Sequence, residues 1–261
     1  MPNDPRTAAY APSTPCIGVC RLDSGGYCVG CRRTSQEIGR WSTMGEDERL
    51  RVMREILPAR GGNGPMDDLL AALLPLSAPP AAPGWNHADM TALIGHAERR
   101  PAAVLVGLRE GVQPRLVLTV RTDHLPTHAG QVAFPGGRRD AGDSDAIATA
   151  LRESHEEIGL DPALVTPVGY LDCFETISGY CITPVVARVA AHAQLYPAPD
   201  EVAEVFEVPL AFFLDPANLR RYTMEFRGQR RPMVEFVHGG HRIWGATAAM
   251  LFNLLQRMGR A

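Results

Sequence analysis

Residues 152–160 read RESHEEIGL, which crowds Glu153, Glu156 and Glu157 into five positions. On a helix, at roughly 100° per residue, Glu153 and Glu157 stand about 40° apart with Glu156 beside them. Ile147, Leu151 and Ile158 recur at helical spacing on a different face, so the pattern predicts one stripe packed on a sheet and the carboxylates presented elsewhere as a group. Like charges at i,i+4 destabilise an isolated helix by roughly 0.2–0.5 kcal/mol. A divalent cation reverses that sign, and Mg²⁺ or Mn²⁺ takes hard oxygen ligands of this kind together with substrate phosphates and water.

Upstream lies AFPGGRRDAGDSDAIATAL. Pro135, Gly136 and Gly137 end the preceding QVAF strand in a turn whose permissive backbone can approach a ligand closely. Asp140 and Asp143 follow on the loop, and the helix is expected to start near Ser144, where side-chain oxygens can cap it. Alone, paired glutamates on a helix mark a solvated face and paired glycines a turn. The ordered series of glycines, acidic loop and RExxEExG is what points to chemistry.

That series resembles the Nudix box, Gx5Ex7REUxEExGU, where U is bulky and apolar. Arg152, Glu153, Glu156, Glu157, Gly159 and Leu160 match it, Ser154 stands at a U position, and Asp143 replaces the usual glutamate after a loop one residue longer. The longer run LVLTVRTDHLPTHAGQVAFPGG is similar to the coenzyme A pyrophosphatase branch of that family, with agreement at Thr119, Arg121, His124, Leu125, His128, Gly130, Gln131 and FPGG. SGYCITPVV, DEVAEVFEVPL and HRIWGATAAML extend the likeness over about residues 88–259. Pro126 stands where the branch has arginine and Thr122 where it has serine or alanine, so Arg121, Arg138 or Arg139 is left to meet a phosphate.

The resemblance implies an α/β/α sandwich with a mixed sheet. It also implies hydrolysis of the pyrophosphate bond of coenzyme A or a derivative, giving 3′,5′-ADP and 4′-phosphopantetheine. Glu153, Glu156 and Glu157 would hold Mg²⁺ or Mn²⁺, Arg152 would orient a carboxylate, and Arg121, Gly136, Gly137 and Arg138 would meet substrate. The general base is left open between a box glutamate and Glu201 or Glu204, and Tyr180, Phe174 or His128 could line a pocket for the adenine or the pantetheine arm. Two alternatives stay in view: a pyrophosphatase for another nucleoside diphosphate derivative such as ADP-ribose, and a Nudix-fold ligand sensor. The intact glutamates favour an enzyme.

The rest of the chain fits an α/β reading: AAVLVGLR, RLVLTVR, LVTPVGYLDCFE and YCITPVVARVAA read as strands, EVFEVPLAFFL as a strand running into a short helix, and the C-terminal segment as an amphipathic helix. PARGGNGP and LSAPPAAPGW mark residues 58–87 as a Pro/Gly-rich linker between a unit at 1–57 and a hydrolase domain at 88–261. The net charge of −3 argues against a general nucleic-acid or membrane-surface binder, and no apolar run is long enough to span a bilayer. The expectations are a cytoplasmic protein of bacterial type and a small nucleotide substrate as partner, with the oligomeric state left open and a homodimer one candidate.

In the first unit, Cys16, Cys20, Cys28 and Cys31 have the spacing C-x3-C-x7-C-x2-C. In a reducing compartment four thiolates so placed can hold structural Zn²⁺, and so small a unit lacks the core to fold well alone. Two short helices follow, at 34–41 and after a cap at Ser42 or Thr43. The segment resembles a small bacterial cysteine-containing domain of uncharacterised function, a likeness that carries no activity. Cys173 and Cys181 lie in predicted strands and read as buried residues.

Overall fold

A computed structural model describes residues 14–16, 22, 25–28, 30–57, 60, 65–111, 113–124, 129–226 and 228–260. Cys20, Pro126 and His128 lie outside the described residues. The chain divides into two compact units, Met1–Pro65 and Met66–Ala261. The Pro/Gly-rich stretch 58–87 straddles that division.

In the first unit, α1 (Ser35–Arg40) begins at Thr34 with a capping box: the Thr34 side chain accepts from the Glu37 amide, and Glu37 accepts from the Thr34 amide. Arg60 then takes Glu37 in a fork, at 2.5 and 2.7 Å, and holds its carboxyl down at about 2. α2 (Glu46–Arg51) starts after Gly45, not at Ser42 or Thr43, which form a 3-10 turn. Its first turn carries Glu46, Asp47 and Glu48, whose charge suits a helix N-terminus. Trp41, Val52 and Leu57 make a small core, and the Arg33 guanidinium lies 4.3 Å over the Trp41 ring.

The second unit is built on an eight-stranded mixed sheet. Its strands are β1 (Arg100–Arg109), β2 (Arg115–Arg121), β3 (Val132–Ala133), β4 (Gly136–Arg138), β5 (Val165–Tyr170), β6 (Phe174–Glu175), β7 (Tyr180–Val189) and β8 (Val202–Pro209). The central path runs β3-β2-β1-β7-β5, with β4 added to β1, β6 to β7 and β8 to β2. β1 and β7 are parallel over ten residue pairs and the other pairings are antiparallel. A second sheet holds β9 (Arg220–Phe226), β10 (Gln229–His238) and β11 (His241–Ile243).

Helices flank the main sheet: α3 (Pro65–Ala71), α4 (His87–Ile94), α5 (Ala146–Ile158), α6 (Leu210–Leu214) and α7 (Gly245–Arg257). Alternation along the central strands feeds two cores. Val104, Val106, Leu108 and Val186 pack with Leu69 of α3 and Leu251, Leu254 and Leu255 of α7. Ala103, Leu105, Val185 and Ala187 pack with Ala150 and Ile158 of α5 on the other face. This is an α/β/α sandwich with a mixed sheet, the architecture that the resemblance implies.

β4 was not legible as a strand. Gly136 and Gly137 read as a turn, yet they pair with Val104 and Ala103 of β1. Gly136 sits at φ +152°, and a Cβ there would lie 2.4 Å from the Ala103 carbonyl oxygen and 2.5 Å from the Val104 Cα. Backbone atoms cannot step aside, so Gly136→Ala should destabilise the fold by roughly 2–3 kcal/mol in urea unfolding. A variant as stable as the parent would show that β4 can detach from β1 at no cost.

Candidate active site

α5 is capped by Asp145, whose side chain accepts from the Ala148 amide, one residue beyond the expected Ser144. It ends at Gly159 in the left-handed conformation. Between these caps Thr149, Ala150, Ser154, Glu157 and Ile158 are buried. Ser154 occupies the apolar position of the motif by turning its hydroxyl back onto the Ala150 carbonyl, at 2.6 Å.

The helix lies against β4, and glycine makes that approach possible. A Cβ on Gly137 would sit 2.5 Å from the Glu153 carboxylate. One turn on, the Gly136 amide donates to Glu157 Oε2 at 3.0 Å. Arg121, from the end of β2, brings Nη1 to 3.7 Å from Glu157 Oε1. Arg121 Nε is buried, and no hydrogen-bond partner for it is found among the described residues.

Arg152 organises the rim. Its Nε and Nη2 grip both oxygens of Asp143, at 3.0 and 2.9 Å, and Nη2 also donates to the Arg138 carbonyl at 3.0 Å. Its Nη1 lies 2.9 Å from both Glu153 Oε1 and Glu156 Oε2. Asp143 accepts in addition from the Asp140 amide and the Thr149 hydroxyl. The Arg152 hydrogen bonds hold the Asp143 carboxyl well below the usual range, while the same bonds, to Asp143 first and then Glu153, raise the Arg152 guanidinium.

The two helix carboxylates behave oppositely to Asp143. Burial pushes Glu157 up to about 7 despite the Gly136 amide and Arg121, and Glu153 and Glu201 push it the same way. Burial also raises Glu153, against the pull of Arg152, with Glu156 and Glu201 adding to the rise. A carboxyl raised above its unfolded value of 4.5 binds a proton more tightly in the folded state. Glu157 therefore withdraws stability as pH climbs from the unfolded value through about 7, unless a cation replaces the proton.

The structure brings together Arg152, Glu153, Glu157, Gly136, Gly137 and Arg121. Glu156 stands further out, its side chain 57% exposed and paired with Arg152. Gly137 faces α5, so its neighbour Arg138 projects from the opposite face of the sheet. Arg138 is exposed there, with Asp140 at 3.5 Å. Of the two later glutamates, Glu201 acts electrostatically on Glu153 and Glu157, whereas Glu204 meets His241 at 3.1 Å. The anchoring role of Asp143 was visible only as a loop carboxylate. Its fork with Arg152 depends on how the loop folds back over nine residues.

Glu153 and Glu157 fit a divalent cation on the chemistry of their donors. They are hard oxygens, Glu157 buried and Glu153 half-buried, both raised chiefly by burial, with Glu153 adding to the rise of Glu157, and both set against backbone that carries no side chain. Among the described residues no three His, Cys, Asp or Glu side chains converge as a ready-made metal cage. Mg²⁺ needs no cage, since one or two carboxylates with substrate phosphates and water satisfy it. Of the cysteine set, Cys28 and Cys31 are buried in a tight turn, Cys16 is half-buried, and Arg33 Nε donates to Cys31 Sγ at 3.3 Å. Among the described residues these thiols form no group of three or more metal-ligating side chains, and Cys20, the fourth of the set, lies outside them.

Residues 98–227 match the family model described as "NUDIX domain", and residues 14–60 match "Protein of unknown function (DUF1289)". The chain is 37% identical over 161 residues to an uncharacterised Nudix hydrolase NudL of Enterobacter sp. (strain 638), covering 62% of this chain and 84% of that protein. It is 41% identical over 160 residues to NudL of Pectobacterium atrosepticum, covering 60% and 82%. Among solved structures, the NUDIX domain of Shewanella oneidensis NrtR complexed with ADP ribose is 19% identical at a TM-score of 0.36, over 49% of this chain and 85% of that one. The chain belongs to the Nudix hydrolase family. No helix among the described residues is long and apolar enough to cross a membrane.

Asp143 makes a sharp test of the rim. Asp143→Asn keeps the shape but loses the charge that anchors Arg152, freeing the guanidinium to collapse onto Glu153. Turnover of a diphosphate substrate should fall by roughly 10- to 100-fold, the usual loss when a group orienting a metal ligand is removed. Unchanged kcat would mean that Arg152 needs no anchor.

Proposed function

We propose that the chain hydrolyses the pyrophosphate bond of coenzyme A or an acyl derivative, releasing 3′,5′-ADP and 4′-phosphopantetheine or its acyl form, with Mg²⁺ or Mn²⁺. The observation that carries the reaction class is the juxtaposition at α5 and β4. Two carboxylates are forced together at low solvation beside a guanidinium whose buried Nε has no partner among the described residues. Such a site is unsatisfied by itself and complementary to a cation with a diphosphate. The coenzyme A reading is supported by the run from Thr119 to Gly137, which resembles that branch over both strands leading into the site.

A divalent cation held by Glu153 and Glu157 supplies neutralisation of the diphosphate and acidification of water. Arg121, whose Nε finds no hydrogen-bond partner among the described residues, would donate to a phosphate oxygen and so fix the orientation of the substrate. Arg152 keeps Glu153 aimed at Gly137, because its other donors are committed to Asp143 and the Arg138 carbonyl. Hydrolysis places a water oxygen on one phosphorus and breaks that phosphorus's bond to the bridging oxygen, with one proton to be removed from the water. Glu157 already receives the Gly136 amide and faces Arg121, which favours as the base the exposed Glu201, whose charge both helix carboxylates feel.

Mass spectrometry of products tests the reading. Purified protein with Mg²⁺ or Mn²⁺ is offered coenzyme A, ADP-ribose and diadenosine polyphosphates side by side. Preferential release of 3′,5′-ADP and phosphopantetheine is expected. Preference for ADP-ribose would keep the chemistry and replace the substrate, and no turnover of any would leave a ligand sensor as the better reading.

A further inference from the structure

On the face of the sheet opposite the carboxylates, one register row crosses four strands: Arg138 of β4 pairs with Ala102 of β1, Ala102 with Ile182 of β7, and Ile182 with Phe174 of β6. Residues in one register share a face, and Ile182 and Phe174 both pack partly on the α3/α7 core, which places the row on that side. Phe174 and Ile182 remain half-exposed. At the far end Trp85 leans on Phe174, ring centroids 5.8 Å apart, while staying 42% exposed. Tyr180, two residues before Ile182 on the same face, carries the Arg100 guanidinium over its ring at 4.2 Å.

Trp85 is held there deliberately. Glu175, 1% exposed, accepts from the Gly84 amide at 3.0 Å and from Arg99 Nε at 3.0 Å, with His87 Nδ1 at 2.7 Å. Asn86 and the Glu175 backbone exchange two hydrogen bonds of 2.8 Å, and the Trp85 amide donates to the Cys173 carbonyl. A buried, fully committed carboxylate thus fixes the two sides of a residue whose own indole is left in solvent. Burying a charge is costly, and folding gains little from an exposed tryptophan, so the arrangement points to a ligand. Trp85 precedes the residues that match the family domain.

We propose that this row binds the extended, non-nucleotide arm of the substrate, a chain of methyl, methylene and amide groups like that of pantetheine. The inference rests on the coenzyme A reading and adds where that arm lies. The row begins beside Gly137, whose other face meets Glu153, so a diphosphate at the β4 edge reaches both. Three strand-to-strand steps separate Arg138 from Phe174, roughly 14 Å at about 4.8 Å each. A phosphopantetheine arm has about as many chain bonds as four extended residues, ~14 Å. A nucleoside is shorter and rigid, and would stop before Trp85. Ile182 suits the gem-dimethyl and methylene groups as the arm passes over the buried Ala102, Arg138 the phosphate, and Trp85 with Phe174 the distal end.

The test is binding to the full chain with Mg²⁺, using the two product halves separately so that no turnover intervenes. Trp85→Ala should weaken 4′-phosphopantetheine roughly tenfold, as loss of one aromatic contact implies, and leave 3′,5′-ADP unchanged. Trp85→Phe should restore most of the loss. Should Trp85→Ala melt early, Ile182→Thr, which keeps a β-branched strand residue but shortens the row, carries the decision with the same expected pattern. Unaltered phosphopantetheine binding in folded variants, equal losses for both ligands, or no binding by the parent protein would overturn the proposal. Cleavage of coenzyme A by the parent is scored apart: cleavage with Trp85-independent binding removes this inference alone, and Trp85-dependent binding without cleavage removes the substrate reading alone.

Discussion

The second unit depends on one close approach, that of helix α5 to a strand with no side chains on the meeting face. Gly137 lets the Glu153 carboxylate lie where any Cβ would collide, and Gly136 gives its amide to Glu157 while tucked under the β1 backbone. The consequence is electrostatic. Two carboxylates lose water without gaining a full complement of donors, and burial raises both. What would be a defect in a structural helix is what a cation together with an anionic substrate, as proposed, would relieve. Asp143, which Arg152 keeps ionised, stabilises the arrangement from outside, so the rim is a firm ion pair and the interior is not.

A second buried carboxylate has the opposite character. Burial alone would raise Glu175, but His87, Gly84 and Arg99 more than offset it, and the net effect is a lowered carboxyl. Every donor around Glu175 is spent on fixing residues 84–87 and Arg99 to the end of β6. Glu157, with one backbone amide and a guanidinium at 3.7 Å, is raised, whereas Glu175, held by three donors, is lowered, so donors and not burial alone separate the two buried glutamates.

Much of this was legible from the chain. The helix, its C-terminal glycine, the grouping of Glu153 and Glu157, and the long buried strands all follow from periodicity and glycine placement. β4 was missed because three residues with two glycines carry no strand propensity; the pairing comes from β1, which is long enough to hold β2 on one half and β4 on the other. The β9–β10 hairpin was missed for a related reason: RRYTMEF and QRRPMVEFVH alternate charged and apolar residues with little to distinguish them from loop. The caps at Gly45 and Asp145 lie one to three residues from the expected Ser42, Thr43 and Ser144, since several neighbouring polar residues could cap either helix. Glu156 and Glu157 are adjacent in sequence, and only tertiary packing decides that one is exposed and the other buried. The placement of Trp85 had no sequence signal, because it depends on Glu175 ninety residues away.

The most direct measurement is Mn²⁺ binding to metal-free protein from about pH 5.5 to about 8.5, for the parent, Glu153→Gln and Glu157→Gln. Because Glu157 is protonated in the fold until about 7, parent affinity should rise as pH passes that value. Glu153→Gln should bind weakly throughout, and Glu157→Gln should bind weakly and lose the pH step. Binding of parental strength and parental pH dependence in both variants would contradict the assignment of the cation to these carboxylates.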